Sequence, residues 1–204
     1  MLKALSRVDP TEDARKVDLV EVHMTSQLAA AAELMRAFVG WQHVRHAEHR
    51  ERLDAYFDPN GFEEELARLP QPFERPGGLL LLATVDGDPA GCIALKPLGN
   101  RVCEMKRLYL RPEYHGFGIG RLLVSRLIEE ADAIGYSAMR LETGPLQVEA
   151  QGLYAALGFR RIPPYRSLPD CLHDWLICME RPLGTATAAR PQLRLAAAAR
   201  GASR

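Results

Sequence analysis

"RLYLRPEYHGFGIGRLLVSRLIEEA", residues Arg107 to Ala131, places three alternating glycines between an apolar run and a strong helical pattern. Bare backbone at a helix start suits an anion: the first amides of a helix lack intrahelical partners, and the helix dipole favours negative charge there. Gly118 and Gly120 would permit a backbone approach that a Cβ blocks. Three phosphate cradles compete for the pattern. A Walker loop requires Gly-Lys-Ser/Thr, whereas Gly120 is followed by Arg121 and Leu122. A dinucleotide fingerprint requires G-x-G-x-x-G directly after a strand, with an acid about 20 residues on. Here the loop is G-x-G-x-G, and Arg111-Pro112-Glu113-Tyr114 separates it from its strand. The remaining cradle is "HGFGIGR" running into a helix, with the amides from His115 to Arg121 aimed at a pyrophosphate. A tight turn without ligand is the competing reading of the glycines alone.

Outward from this loop, the chain alternates strand and helix patterns. "KVDLVEVH" (Lys16 to His23) reads as a strand, and from Ser26, a candidate cap, Leu28, Ala31, Leu34, Met35 and Phe38 recur at helical spacing. "VRHAEHRERLDAYF" reads as a second helix, ending before the turn signal "DPNG", and "GFEEELARLP" as a short one stopped by Pro70. "LLLLATVDGDPAGCIAL" is two strands joined at Asp86-Gly87, followed by the strand "RVCEMKRLYL". After the loop, Leu123, Leu127, Ala131 and Ile134 mark a helix face that ends at Gly135. "SAMRLET", "FRRI" and "LHDWLICMER" read as strands and "QVEAQGLYAALG" as a helix. The order β-α-α-β-β-β-α-β-α-β-β predicts an α/β sandwich with a mixed sheet.

With 204 residues, 47% of them hydrophobic, the chain is long enough for one domain with a full core. Lys plus Arg equals Asp plus Glu at 26 each, which argues against a nucleic-acid binder acting through bulk charge. Runs such as "LLLLA" fall far short of the roughly 20 apolar residues of a membrane span. "MLKALSRVDPTEDARK" has no apolar centre and carries early acids, unlike a secretory signal. Cys92, Cys103, Cys171 and Cys178 have no CxxC spacing and read as buried free thiols of a cytoplasmic protein. Residues 1–15 read as a loose leader, 16–183 as the working domain, and the Ala/Arg-rich 184–204 as a disordered tail.

"YLRPEYHGFGIGRLL" resembles motif A of the GCN5-related N-acetyltransferase (GNAT) superfamily, Arg/Gln-x-x-Gly-x-Gly/Ala. About 36 residues later, "EAQGLYAALGF" (Glu149 to Phe159) is similar to motif B, with Ala150, Tyr154, Gly158 and Phe159 at the recurring offsets. The strand "EMKRLYLRP" also resembles a bacterial branch of the superfamily. The resemblance covers about Leu79 to Glu180. It implies a GNAT-type acyl-CoA N-acyltransferase fold, α/β, with a mixed, mostly antiparallel sheet flanked by helices. It also implies that the anion is the pyrophosphate of coenzyme A, with acetyl-CoA as cosubstrate and no metal. The backbone of Leu108, Tyr109 and Leu110 would pair with pantetheine like an added strand, and the amide of Leu108 would polarise the acetyl carbonyl. The loop residues His115, Gly116, Phe117, Gly118, Ile119, Gly120 and Arg121 would hold the pyrophosphate, and Gln147 stands roughly where an Asn often contacts the cofactor. His115 departs from the usual Arg or Gln; its amide would remain, and its imidazole titrates near neutrality.

Acetyl transfer to an amine requires the attacking ammonium, with a lysine-like pKa of about 10.4, to lose a proton. It also needs donors for the oxyanion and a proton for the departing thiolate; each positioned proton transfer contributes about 10²–10⁴ in rate. The resemblance assigns Tyr154 as the acid at the CoA sulfur; a core tyrosine beside Leu153 and Leu157 is the alternative. Glu104, between Cys103 and Met105, is the candidate base, by likeness to the histone-acetyltransferase branch. Its alternative is a strand glutamate paired with Lys106 or Arg107, and Glu142 is the substitute base. The expected activity is acetyl-CoA-dependent N-acetylation of a small-molecule or peptide amine in a ternary complex. The alternative is a non-catalytic acyl-CoA sensor or scaffold, against which the presence of both Glu104 and Tyr154 counts. A nucleotide-binding oxidoreductase is a third reading, which NAD(P) rather than CoA would stabilise.

His43, His46 and His49 drift round their helix at i, i+3, i+6 and, interleaved with Arg45, Arg50 and Arg52, read as a solvated face rather than a metal site. Phe38, Trp41, Tyr56 and Phe57 are candidate walls of the acceptor pocket, or plain core. "IPPYRSLPDCLHDW" (Ile162 to Trp175) is the loop expected opposite, with Tyr165 and Arg166 as acceptor contacts. No nucleic acid or membrane partner is expected; a homodimer is the commonest assembly.

Overall fold

The computed structural model describes residues 15–184, so the leader before Arg15 and the tail after Gly184 lie outside the described residues. The elements are β1 (Val17–Glu21), α1 (Thr25–Arg45), α2 (Arg50–Phe57), α3 (Pro59–Ala67), β2 (Leu79–Val85), β3 (Asp88–Gly99), β4 (Val102–Leu110), α4 (Ile119–Ile134), β5 (Ala138–Thr143), α5 (Val148–Ala156), β6 (Arg160–Ile162), α6 (Asp170–His173) and β7 (Ile177–Pro182). They build an α/β fold on one seven-stranded sheet in the order β1-β2-β3-β4-β5-β7-β6. Only β4 and β5 run parallel; the other neighbours are antiparallel, so the expected mixed, mostly antiparallel sheet is what forms.

"LLLLA" is apolar throughout because both faces of β2 are covered. Leu79, Leu81 and Ala83 meet the core under α4, while Leu80 and Leu82 meet the core under α1 and α3. Asp86 and Gly87 adopt positive φ, which gives the hairpin turn between β2 and β3 that the sequence announces. Three elements differ from the sequence reading. Helix α1 starts at Thr25, where Gln27 Oε1 accepts from the amides of His23 and Met24, so Ser26 is not its cap. It also absorbs Val44 and Arg45, and a 3₁₀ turn (Ala47–His49) separates it from α2, so 44–57 is not one helix. "LHDWLICMER" begins as α6 and becomes strand only at Ile177.

The site depends on how β4 and β5 meet. They pair only at Val102, Cys103 and Glu104 and then part. On its other edge β4 pairs with β3, but Ala94 faces Lys106 while Cys92 faces Tyr109, so Arg107 and Leu108 together oppose Ile93. This is a β-bulge, and Arg107 takes φ 57° within it. The bulge reverses the side-chain alternation. Cys103 and Met105 face the α4 core, and after it Leu108 and Leu110 do; Tyr109 turns to the α1 side. Arg107 is held there by Glu65, at 2.8 Å, and lies over the rings of Phe62 and Phe57. Its side chain is only 9% exposed. Glu65→Ala would leave this guanidinium largely buried and unpaired, with an expected cost of about 2–3 kcal/mol. Denaturant unfolding at neutral pH measures it.

Candidate active site

Two cavities open where the strands part. A groove of about 580 Å³ runs along the end of β4 to the start of α4 and is walled by Trp41 and Arg45 of α1 and by Ala150 and Leu153 of α5. A deeper pocket of about 50 Å³ lies between β4, the end of β5, α1 and α2. Phe38, Leu108 and Gln147 line both and mark their junction.

The residues expected to hold the cofactor gather mostly in the groove. Leu108, Tyr109 and Leu110 lie past the last β4–β5 pair, so this stretch of β4 has no neighbouring strand on that side. His115, Gly116, Gly118, Gly120 and Arg121 line the far end. Gly118 caps α4 with φ 78° and Gly116 has φ 84°, conformations that disfavour a side chain. A Cβ at either would meet no protein atom within 4 Å, so the space beside the loop is open. Arg121 has no carboxylate partner among the described residues, which leaves a free cation beside those amides. Phe117 and Ile119 do not line the groove: Ile119 is buried in the core, and Phe117 is exposed beneath the guanidinium of Arg15.

His115 contributes less than its place in the loop implies. Its amide donates to Pro112 O (3.1 Å), and its Nε2 meets Leu110 O (2.9 Å), so the ring ties the loop back to β4. With Nε2–H given to a carbonyl, only Nδ1 remains to face the groove. Gln147 is also engaged. Its Oε1 accepts from Gly144 N (2.6 Å) and Thr143 Oγ1 (3.1 Å), fixing the turn from β5 into α5 at the junction.

The deep pocket holds the chemistry-bearing residues. Glu104 is 4% exposed; its Oε1 accepts from Tyr165 Oη (2.7 Å), and Lys106 Nζ stands 3.4 Å from Oε2. Glu142, its side chain 1% exposed, forms a two-point ion pair with Arg166, which raises the already high pKa of that guanidinium. The two candidate bases are therefore held by consecutive residues of the 163–169 loop. Tyr154 lines the same pocket, and burial, reinforced by Tyr56, pushes its phenol well above the ordinary tyrosine range. It stays a proton donor at any physiological pH. Phe38, Tyr56 and Phe57 line this pocket and Phe38 with Trp41 the groove, while Phe57 also belongs to a buried core cluster against which Phe38 and Tyr56 pack.

A sequence model of the Acetyltransferase (GNAT) family matches residues 31–159, more than half of the chain. The chain belongs to this family. An uncharacterised N-acetyltransferase of Schizosaccharomyces pombe is 39% identical over 109 residues, 52% of this chain and 67% of that one. An IAA acetyltransferase of Azospirillum brasilense is 37% identical over 116 residues, 55% and 73% of the two lengths. GNAT relatives are thus both fungal and bacterial. The PaiA N-acetyltransferase of Thermoplasma acidophilum, solved in complex with coenzyme A, superposes with a TM-score of 0.61 over 82% of this chain and 99% of that one. At 21% identity it shows the shared GNAT acyl-CoA N-acyltransferase fold.

The histidines did not form one solvated face. His43 bonds Val39 O and Asp54, while His46 is 1% exposed and packs edge-on against Trp175. His46 caps α1 four residues after the buried Gln42, and its amide still donates to Gln42 O, so it continues the buried stripe of that helix rather than the face of His43. Cys171, likewise, is exposed, whereas Cys92, Cys103 and Cys178 are buried, with burial pushing their thiols up to about 12, 12 and 11. Burial lowers the pKa of His46, with Arg45 and His49 adding repulsion. Unfolding therefore takes up a proton below the ordinary histidine pKa of about 6.5, so this stability is present above that pH and lost as pH falls through it. Denaturation midpoints are expected to drop from pH about 7.5 to about 5, and His46→Phe to flatten that part of the slope.

Proposed function

We propose that this chain moves an acetyl group from acetyl-CoA to a primary amine by direct transfer within a ternary complex. The supporting observation is the junction at Phe38, Leu108 and Gln147, where a long groove with a glycine-capped helix start meets a pocket lined by Glu104 and Tyr154. The groove fits coenzyme A: unpartnered first-turn amides of α4 and Arg121 for its pyrophosphate, and the free edge of β4 for its pantetheine. Acetyl-CoA supplies an activated thioester carbonyl. Every other step falls to the chain. Glu104, directly or through water, takes the proton of the acceptor ammonium. The Leu108 amide polarises the carbonyl as the C–N bond forms and the C–S bond breaks. Tyr154 gives its proton to the leaving sulfur and regains one from solvent.

Tyr165 and Lys106 hold Glu104 ready at the pocket, and the Arg166 pair makes Glu142 the weaker base candidate. The acceptor is a small molecule or peptide amine, and we attach the chain to a bacterial branch on the strand "EMKRLYLRP" alone. A sensor or scaffold would bind CoA without turnover across a broad amine panel.

Tyr154→Phe is expected to slow turnover at least tenfold with little change in acetyl-CoA affinity. Unchanged turnover would remove Tyr154 as the acid. Gly118→Ala forces a side chain to φ 78° and a methyl into the open space beside the loop. A free loop that relaxes from this conformation must regain it to bind, at about 1–2 kcal/mol, so CoA affinity measured by calorimetry should fall about tenfold.

A further inference from the structure

Lysine is scarce in this chain: only four of its 26 cationic residues are lysines, Lys3, Lys16, Lys96 and Lys106, and the rest are arginines. Around the site, the carboxylates Glu65, Glu142 and Glu180 are each paired with an arginine, Arg107, Arg166 and Arg140. Glu104 is the exception. Its ion-pair partner is Lys106, whose Nζ stands 3.4 Å from Oε2. The difference is chemical. A guanidinium keeps its proton at every physiological pH, whereas an ammonium that loses one proton is a nucleophilic primary amine on a flexible stem. Glu104 and Lys106 are two residues apart on β4 and so project from one face of it. Both line the deep pocket, together with Leu108 and Tyr154. The Lys106 side chain is 18% exposed, against 77% for Lys16, and Lys96 is exposed.

Acetyl transfer requires the acceptor nitrogen beside the base and within reach of the thioester. Lys106 Nζ already stands beside that base. We propose that Lys106 is a modification site of the chain's own activity: with acetyl-CoA bound and no acceptor present, the acetyl group passes to Lys106 Nζ. The inference rests on the acetyl-transfer reading. The ammonium gives a proton to Glu104 across their contact, and the freed lone pair attacks the thioester carbonyl. The C–N bond forms, and the C–S bond breaks with its electron pair going to sulfur, which Tyr154 protonates. Of the ammonium's three protons the amide keeps one. One leaves through Glu104 to solvent, and the last, by way of solvent, replaces the one that Tyr154 gave. The products are N-acetyl-Lys106 and CoA. The amide carries no charge, so Glu104 keeps Tyr165 as its partner, and the ammonium of a later acceptor meets that carboxylate without a competing cation.

The whole chain is incubated with acetyl-CoA and no amine, and the acetylation of each lysine is followed in time by peptide mass spectrometry. Lys16 and Lys96 serve as internal standards, because uncatalysed acetylation favours exposed amines. Lys106 is expected to gain its acetyl group at least about tenfold faster than either, at a rate independent of protein concentration. Glu104→Gln and Tyr154→Phe should each slow Lys106 at least about tenfold and leave Lys16 and Lys96 unchanged. Lys106 already acetylated in the isolated chain, and not in Tyr154→Phe, is the same result. Lys106 no faster than the exposed lysines, a rate that rises with protein concentration, or a rate that survives both substitutions overturns the inference. A broad amine panel separates that failure from failure of the reading beneath it. Turnover of any amine with Lys106 unmodified leaves acetyl transfer standing, whereas CoA bound with neither Lys106 nor any amine acetylated overturns both.

Discussion

The parting of β4 from β5 after Glu104 is the constraint on which the rest depends. A sheet that stayed paired there would use the backbone groups of Leu108, Tyr109 and Leu110 on its own ladder and leave no opening for either cavity. The bulge at Arg107 turns the end of β4 away, and an ion pair to α3 with two aromatic faces keeps an unfavourable φ in place. Strain in one residue thus becomes an exposed strand edge beside a helix start. Binding surface and pocket arise from the same local departure.

A second layer of order lies in the deep pocket, where the charges are distributed in pairs. Lys106 with Glu104 and Arg166 with Glu142 keep the buried site near neutral, and Tyr165 adds a neutral donor to the first pair. Ions this far from water persist only with such partners. The loop that supplies Tyr165 and Arg166 also leads into α6 and Trp175, so one segment closes the pocket, holds both carboxylates and contributes Trp175 to the wall.

Much of this was legible before any coordinates. The glycines at 116, 118 and 120 mark a helix start that needs bare backbone, and the alternating apolar runs mark strands covered on both faces. Glu104, Tyr154, Tyr165 and Arg166 were identifiable as chemistry-bearing residues; Glu104 and Tyr154 line one pocket, and Tyr165 and Arg166 bond its carboxylates Glu104 and Glu142. Gln42, His46 and Trp175 were not. Each belongs to a residue type that normally packs or solvates; Gln42 and His46 share one face of α1, and Trp175 reaches them only because α6 interrupts the expected last strand. His115 was legible as a departure from the motif, yet its use as a tie to Leu110 O was not.

The sequence by itself determined the element types, the two glycine-defined helix ends and the family, because these follow from local spacing and backbone permissiveness that each segment carries in its own residues. The tertiary structure alone decided the bulge at Arg107, the pairing of both carboxylates with one loop and the meeting of His46 with Trp175. Those depend on which distant segments share a space, and no local pattern encodes the partner that a buried charge or an unpaired N–H will find.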